Sequence, residues 1–381
     1  NVSSETAKAI DARTAFAQIQ ADNQALVREV HGMVHKKIIT AETAVQVALL
    51  NNKGLQASYA NVGLSATEAW QQAMPANPVV SVGLIGIGAP ELGAYRAIEG
   101  LVRSNLLDAK TRPQRMALAD AGFRQAQLQA VSDSLALANQ TRIAWVNAVS
   151  AFETVGYLRR AKQTSDAGSE LAQKLGETGA LNLAGQAREQ AFNAELAGQL
   201  AQARLNATRA KEDLTRLMGL WGTEVDYTVP DALPSLPKSV GGISNAEKTA
   251  LANRIDLRIA QLGLEAQARA FNLTDQTRIV SDLEIVAGAE LEREAHEDGD
   301  IETVITPQVE LEFAIPIFDS GEARMRRVEL MYLQAANVLA EKAVDVRSEA
   351  RGAAATYHAS YDIARHYRDV LVPLRTTVEE E

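Results

Sequence analysis

Apolar residues change their spacing several times along this chain, and each change marks an element. From Val309 to Ile317 they fall on every second position, as Val309, Leu311, Phe313, Ile315 and Ile317, while Gln308, Glu310 and Glu312 fill the alternate face. A period of two predicts a strand with one wet side. Pro316 and Asp319-Ser320-Gly321 then end the strand (about 303–317), and a helix-compatible run follows from Glu322 to about Val372. A preceding strand, about 282–292, puts Leu283, Ile285, Ala287, Ala289 and Leu291 on one face. Asp282, Glu284, Glu290 and Glu292 lie on the other, and an acidic loop from His296 to Asp300 joins the two strands.

The same order occurs earlier in the chain. Residues 1–40 read as a peripheral helix, with Ile10, Phe16, Ile19, Leu26 and Val30 as a thin apolar stripe. A second helix starts after Thr40, which can cap it with Thr43 or Glu42 nearby, and runs to about Ala73, where Met74-Pro75-Ala76-Asn77-Pro78 stops it. Two strands are predicted at about 79–88 and 95–107, joined by a Gly/Pro-rich turn from Gly86 to Gly93. Val80, Val82 and Leu84 share one face of the first; Ile98, Gly100, Val102, Ser104 and Leu106 share one face of the second, opposite Glu99, Arg103 and Asn105. From about Thr111 to Gly176 the pattern is one helix of roughly 65 residues, a length that requires lateral partners. The turn Gly176-Glu177-Thr178-Gly179 reverses it. A return helix runs from Asn182 to Met218 and closes at Gly219-Leu220-Trp221-Gly222, giving a helical hairpin over about 111–219.

A linker rich in proline and glycine, 229–245, separates two halves, and after it the sequence starts again. Ala250, Leu251, Asn253 and Leu257 repeat Ala48, Leu49, Asn51 and Leu55 at an offset of 202. Asp319 and Arg326 repeat Asp108 and Arg115 at 211, and Arg351 and Tyr361 repeat Arg142 and Phe152 at 209. A helix-strand-strand-long-helix unit is therefore duplicated, over 41–228 and 246–381, with the second long helix at about 321–381. A counterpart of Gly179 at the same offset would be residue 388, so a second return helix is expected beyond the given sequence.

Composition narrows the options. Hydrophobic residues make up 46% of the chain but aromatics only 5%, which favours long alanine- and leucine-rich helices in lateral contact over one large core. A net charge of -10 leaves no basic stripe for nucleic acid. The absence of cysteine excludes disulfides, thiolate metal sites and cysteine nucleophiles. No run of about 18 apolar residues predicts a transmembrane helix. The chain starts at Asn1 without a methionine or a signal peptide, which reads as a mature or trimmed product.

Candidate chemistry is sparse. Of five histidines (His31, His35, His296, His358 and His366), His31 and His35 are spaced i and i+4, as a metal pair would be, and a third ligand is not evident; His358 and His366 sit on the long helix without a suitable carboxylate cluster. No phosphate loop, nucleophile elbow or carboxylate dyad stands out, so no enzyme, cofactor or metal site is expected. Trp145 and Phe152, seven apart, read as a coiled-coil seam.

The repeated unit, the junction IPIFDSGEARMRR (315–327), the opening ALLNNKGLQASYANVGLS (48–65), and the turn LGETGALNLAGQAREQ (175–190) followed by LTRLMGLWG (214–222) resemble the TolC family of outer-membrane efflux proteins. The similarity covers roughly residues 41–381. It implies a mainly α protein with a membrane β-barrel part: a homotrimer whose protomers each give four strands to a shared twelve-stranded barrel in the outer membrane of a Gram-negative bacterium, with a trimeric α-barrel extending into the periplasm. The implied partners are a periplasmic adaptor (membrane fusion) protein, an inner-membrane transporter and outer-membrane lipid. Asn105 stands where the second copy has Pro316, and the lipidated N-terminal cysteine of many members is absent.

If the apolar positions face lipid, the pore receives Glu99, Glu284, Glu290, Glu292, Glu310 and Glu312, and a cation-selective duct follows. The resemblance also implies a periplasmic gate and adaptor contact at the hairpin tip. The matching positions are Leu175, Gly176, Glu177, Thr178, Gly179 and Ala180, with Arg160 and Asp166 above, and the second copy brings Arg375, Glu379, Glu380 and Glu381 to the same level. The function expected is a passive exit duct for metal cations or drugs, with heavy-metal cations favoured by the acidic lumen and by similarity to metal-efflux members. A protein-secretion duct of the same fold, and a soluble coiled-coil scaffold or adaptor-like hairpin, are the alternatives.

Overall fold

A computed structural model describes residues 2–88, 95–241, 243, 245–296 and 300–380. In chain order the elements are α1 (Val2–Ile10), α2 (Gln20–Val34), α3 (Ala41–Asn51), α4 (Lys53–Ala73), β1 (Val79–Ile85), β2 (Ala97–Asn105), α5 (Leu106–Glu177), α6 (Leu183–Met218), α7 (Ala246–Asn253), α8 (Ile255–Gln276), β3 (Leu283–Ala295), β4 (Ile301–Phe313), α9 (Glu322–His366) and α10 (Val372–Glu380). A 3₁₀ turn at Gly222–Val225 follows α6, and a π turn at Tyr367–Leu371 joins α9 to α10. The chain is mostly helical with one small sheet. Among the described residues no helix is long and apolar enough to cross a membrane.

Two compact units form, Asn1–Asn61 with Gln127–Thr249 and Glu349–Glu381, and Val62–Ala126 with Ala250–Ser348. The first is helical. Its fully buried side chains include Leu49, Leu50, Leu214, Met218, Val131, Val149 and Tyr227. Burial pushes the Tyr227 phenol up to about 12, and its hydroxyl bonds to the Thr215 hydroxyl at 2.8 Å. Further along, Val155 of α5 packs with Leu200, Ala203 and Ala207 of α6. Small residues on facing stripes let the two helices approach closely, which is the lateral contact that long helices need.

Residues 1–40 are not one helix. Between α1 and α2 the segment 12–18 is extended, because side chains from α3 and α4 supply the backbone partners that a helix would supply internally. Gln46 accepts from the Arg13 N–H at 3.0 Å and donates to the Arg13 carbonyl at 2.8 Å. Gln56 accepts from the Ala17 N–H at 3.1 Å and donates to the Ala15 carbonyl at 2.8 Å. With residues 13, 15 and 17 held in this way, Thr14 is buried and Phe16 meets the Tyr59 ring edge-on at 6.1 Å. Gln46 and Gln56 together imitate a neighbouring strand.

The helix expected over 41–73 is likewise broken. Thr40 caps α3 by accepting from the Thr43 N–H at 3.2 Å, but the chain bends at Asn52 (φ -62, ψ 120) before α4 begins. The bend lets Asn51 donate to the Met218 and Gly219 carbonyls at 3.1 and 2.7 Å, and Asn52 to the Leu217 carbonyl at 2.9 Å. These are C-terminal carbonyls of α6 that have no partner within their own helix. In the second unit the chain bends at Arg254 (φ -68, ψ 129), 202 residues after Asn52, to separate α7 from α8.

That second unit carries a single four-stranded antiparallel sheet in the order β1-β2-β3-β4. β4 stops at Phe313, four residues short of the expected Ile317, because its partner β3 begins at Leu283, directly opposite Phe313. β1 ends at Ile85 and β2 at Asn105, where α5 starts, five residues before the expected Thr111; the Asn105 side chain accepts from the Asp108 N–H at 2.7 Å and caps the helix. The expected turn at 86–93, loop at 296–300 and linker at 229–245 fall partly outside the described residues, at 89–94, 297–299, Gly242 and Ser244.

Candidate functional site: a two-faced sheet and a helical hairpin tip

Strand register decides which residues share a face. The pairs Val82↔Gly100, Val102↔Ala287 and Ala287↔Val309 place Val80, Val82 and Leu84 beside Ile98, Gly100, Val102 and Ser104, then beside Ile285, Ala287, Ala289 and Leu291, then beside Ile305, Val309, Leu311 and Phe313. This continuous apolar face is exposed: Val82 keeps 72% of its surface, Val309 74% and Phe313 57%. An apolar patch spanning four strands is larger than a water-soluble surface tolerates.

The opposite face carries the carboxylates in rungs. Asn105, Glu284 and Glu312 lie abreast at the end where the strands meet the helices. Next come Arg103, Val286 and Glu310, then Leu101, Gly288 and Gln308, then Glu99, Glu290 and Thr306, and last Ala97, Glu292 and Val304. Glu284 and Glu292 are only 23% and 30% exposed, and Ala97 and Val286 are buried. Glu284 and Glu292 are thus more covered than Val82, Val309 and Phe313, while Glu312 at the edge strand keeps 46% of its side chain exposed.

The polar face also holds contacts that spacing alone did not reveal. Arg96 pairs with Glu292 at 2.7 Å, Gln308 donates to Glu99 at 3.0 Å, and Arg103 lies 3.4 Å from Glu284 and 3.6 Å from Glu312. At the hairpin end, Arg293 stacks on the Tyr95 ring at 4.3 Å and His296 bonds to Glu302 at 3.0 Å. The alternation in the sequence identified the glutamates, but only the register shows which arginine meets which of them.

The junctions below the sheet are alike in place and different in bonding. Asp108 pairs with Arg115 at 2.5 Å and accepts from the Ala76 N–H. Asp319 instead accepts from the Gly321 N–H at 2.8 Å and lies 3.9 Å from Arg324, while Arg326 pairs with Glu329.

At the hairpin tip α5 runs to Glu177, and Thr178, Gly179 and Ala180 form the turn. Gly179 takes φ +74, a left-handed conformation that a side chain disfavours, and the Ala180 N–H returns to the Leu175 carbonyl at 2.8 Å. Asn182 caps α6 by accepting from the Gly185 N–H at 2.8 Å. Asp166 accepts from Asn193 of α6 at 2.8 Å and pairs with Lys162; these two partners hold its carboxyl below the ordinary aspartate range. Arg160 lies over the Tyr157 ring at 4.9 Å. Arg375 is on α10 and exposed, and among the described residues it makes no ion pair with Glu177 or Asp166 within one chain. The side chains of Glu379 and Glu380, and Glu381 entirely, lie outside the described residues.

Elsewhere, the rings of His31 and His35 stack at 4.5 Å, and the His35 Nδ1–H donates to the Thr223 carbonyl at 3.3 Å. No group of three metal-ligating side chains occurs among the described residues. Trp145 is buried and donates to the Ile39 carbonyl at 3.0 Å, whereas Phe152 is 37% exposed, so the two do not form one seam within the chain.

No protein-family profile matches this chain, and no curated protein matches it in sequence. Solved structures do. It is similar to the CmeC outer membrane channel of Campylobacter jejuni, at 17% identity and TM-score 0.69 over 89% of this chain and 76% of that one. A membrane protein from Pseudomonas aeruginosa matches at 14% identity and TM-score 0.70, and the outer membrane protein VceC of Vibrio cholerae at 15% and 0.59, each over 89% of this chain and 81% of its own. Duplicated helices, a four-stranded sheet fed by long helices and these likenesses agree: the chain has the fold of the TolC-family outer-membrane channels.

Proposed function

We propose that this chain is the outer-membrane channel of a tripartite efflux system, a passive exit duct that assembles as a homotrimer. The observation that carries this reading is the two-faced sheet, with large apolar side chains exposed across four strands on one face and the glutamates gathered on the other. In a bilayer each exposed Val, Leu or Phe gains about 1.5–3 kcal/mol on leaving water. β1 and β4 have one unpaired edge each, and lipid offers no hydrogen bonds, so the sheet must close with copies of itself. Three copies give twelve strands, an even number that closes.

Glu99, Glu284, Glu290, Glu292, Glu310 and Glu312 then line the pore and favour cations, which makes metal cations the preferred cargo class. The helical hairpin extends into the periplasm. Its tip, from Gly176 to Gly179 with Arg160 and Asp166, meets the adaptor protein, and the inner-membrane transporter supplies the energy. Arg375 and the acidic run 379–381, from the second repeat, act as the opposing half of a charge-paired gate between the two hairpins. A soluble scaffold has no use for an exposed apolar sheet face.

The test is extraction and conductance. The expected result is a detergent-dependent, SDS-resistant trimer that forms pores in planar bilayers with reversal potentials favouring cations. A detergent-free monomer without conductance overturns the channel reading, and anion preference overturns the assigned pore lining.

A further inference from the structure

The polar face of the sheet has two acidic tiers, and each contains one arginine. At the hairpin end are Glu99, Glu290 and Glu292, with Arg96 on Glu292 at 2.7 Å. At the helix end are Glu284, Glu310 and Glu312, with Arg103. Leu101, Gly288 and Gln308 form an uncharged rung between them. The two arginines are placed differently. Arg96 precedes β2 and belongs to the rim, whereas Arg103 sits inside β2, on the wall itself.

Arg103 also reaches further than a rung partner would. Directly across from it is Val286, buried, with Glu310 next along the same rung. Its guanidinium instead spans β3 to lie 3.4 Å from Glu284 and 3.6 Å from Glu312, which are themselves neighbours across β3 and β4. Two like charges on one rung repel, and a planar cation placed between them removes that repulsion. At 43% exposure the Arg103 side chain still faces water, so its charge is felt beyond the two glutamates. A half-exposed ion pair contributes little to folding. Its main effect is on the local field, which a narrow charged conduit converts into ion preference.

We infer that Arg103 is a selectivity-setting residue of the pore wall: it cancels one negative charge per copy in the helix-end tier and so limits how strongly the channel prefers cations. The inference rests on the pore-lining assignment proposed above. In a threefold assembly three guanidiniums stand against the carboxylates of the helix-end tier, and neutralising residue 103 leaves those carboxylates uncompensated.

The experiment compares cation-to-anion permeability ratios, from reversal potentials in a KCl gradient, for the full-length wild type, Arg103→Gln, Arg103→Lys, Glu284→Gln/Glu312→Gln and Glu99→Gln. Arg103→Gln is expected to raise the ratio about two- to threefold at low salt, with the difference vanishing near ~1 M, where the Debye length falls to ~3 Å. Arg103→Lys keeps the charge and the wild-type ratio. The Glu284/Glu312 double variant leaves Arg103 unmatched and lowers the ratio, non-additively with Arg103→Gln, whereas Glu99→Gln lowers it independently of residue 103. A conducting Arg103→Gln channel with an unchanged or lower ratio overturns the inference. So does a double variant whose ratio does not fall, which remains measurable if Arg103→Gln fails to assemble. A wild type that forms no pore overturns the channel reading instead.

Discussion

The helical unit and the sheet follow opposite rules. In the first, Leu49, Leu50, Leu214 and Met218 are inside, as water requires. In the second, Val82, Val309, Leu311 and Phe313 are outside and Glu284 and Glu292 are half covered. The residue types are similar; the solvent each face is built for differs. The difference teaches that burial within a single chain is a poor guide to what the sheet packs against, because Val82, Val309, Leu311 and Phe313 stay exposed among the described residues.

Two substitutions test the contrast most severely. Leu214→Ala should cost about 2–5 kcal/mol by opening a cavity, read as a lower thermal midpoint of the helical signal. Val309→Arg should cost about 2–4 kcal/mol, but only where the sheet meets lipid, read as loss of the SDS-resistant trimer with the helical melting unchanged. If Val309→Arg assembles like the wild type, the apolar face does not contact lipid and the comparison fails.

A smaller effect sharpens the helical side of the comparison. Gln46→Ala with Gln56→Ala removes the four hydrogen bonds that hold residues 13, 15 and 17. At about 0.5–1.5 kcal/mol each, the loss should free the 12–18 segment and speed tryptic cleavage after Arg13 by at least about 30-fold, without lowering the global melting point. Equal cleavage rates would show that the Phe16–Tyr59 contact, not the glutamines, holds the segment.

The smallest effect is at the hairpin tip and depends on pH. Asn193 first, and Lys162 second, lower the folded-state pKa of Asp166. A lowered carboxylate pKa stabilises the fold above the ordinary aspartate range near ~4, and that contribution is lost as pH falls through the lower folded value. Amide protection factors at the α5–α6 end, taken relative to the intrinsic exchange rate at each pH, should therefore fall as pH drops below the ordinary aspartate range, and Asn193→Ala should weaken that pH step. The same step in the variant would leave Lys162 as the partner that matters.

Much of this organisation was legible in the sequence, for physical reasons. Strand alternation around Glu284 and Glu310, the glycine turn at 179 and the repeat at an offset of 202 are local or periodic signals. What was not legible depended on distant partners. Residues 12–18 have a helix-compatible composition, and Gln46 and Gln56, some 30 to 40 positions away, bond their backbone instead. The bend at Asn52 is set by carbonyls near residue 218, and the end of β4 by where β3 begins. Arg103 was visible on the wet face of its strand, but its bridge to β4 exists only in the register.

The paired bends at Asn52 and Arg254 have a further consequence. Both residues take nearly the same backbone angles, yet the bonds that follow differ: the Asn52 side chain accepts from the Leu55 N–H at 3.1 Å, whereas Arg254 pairs with Asp256, whose carboxylate accepts from the Leu257 N–H at 3.0 Å. The two bends share a shape and differ in their fasteners. Each half of the molecule can therefore be loosened on its own, by Asn52→Ala in one and Asp256→Asn in the other, which gives a chain built from twins two separately addressable handles.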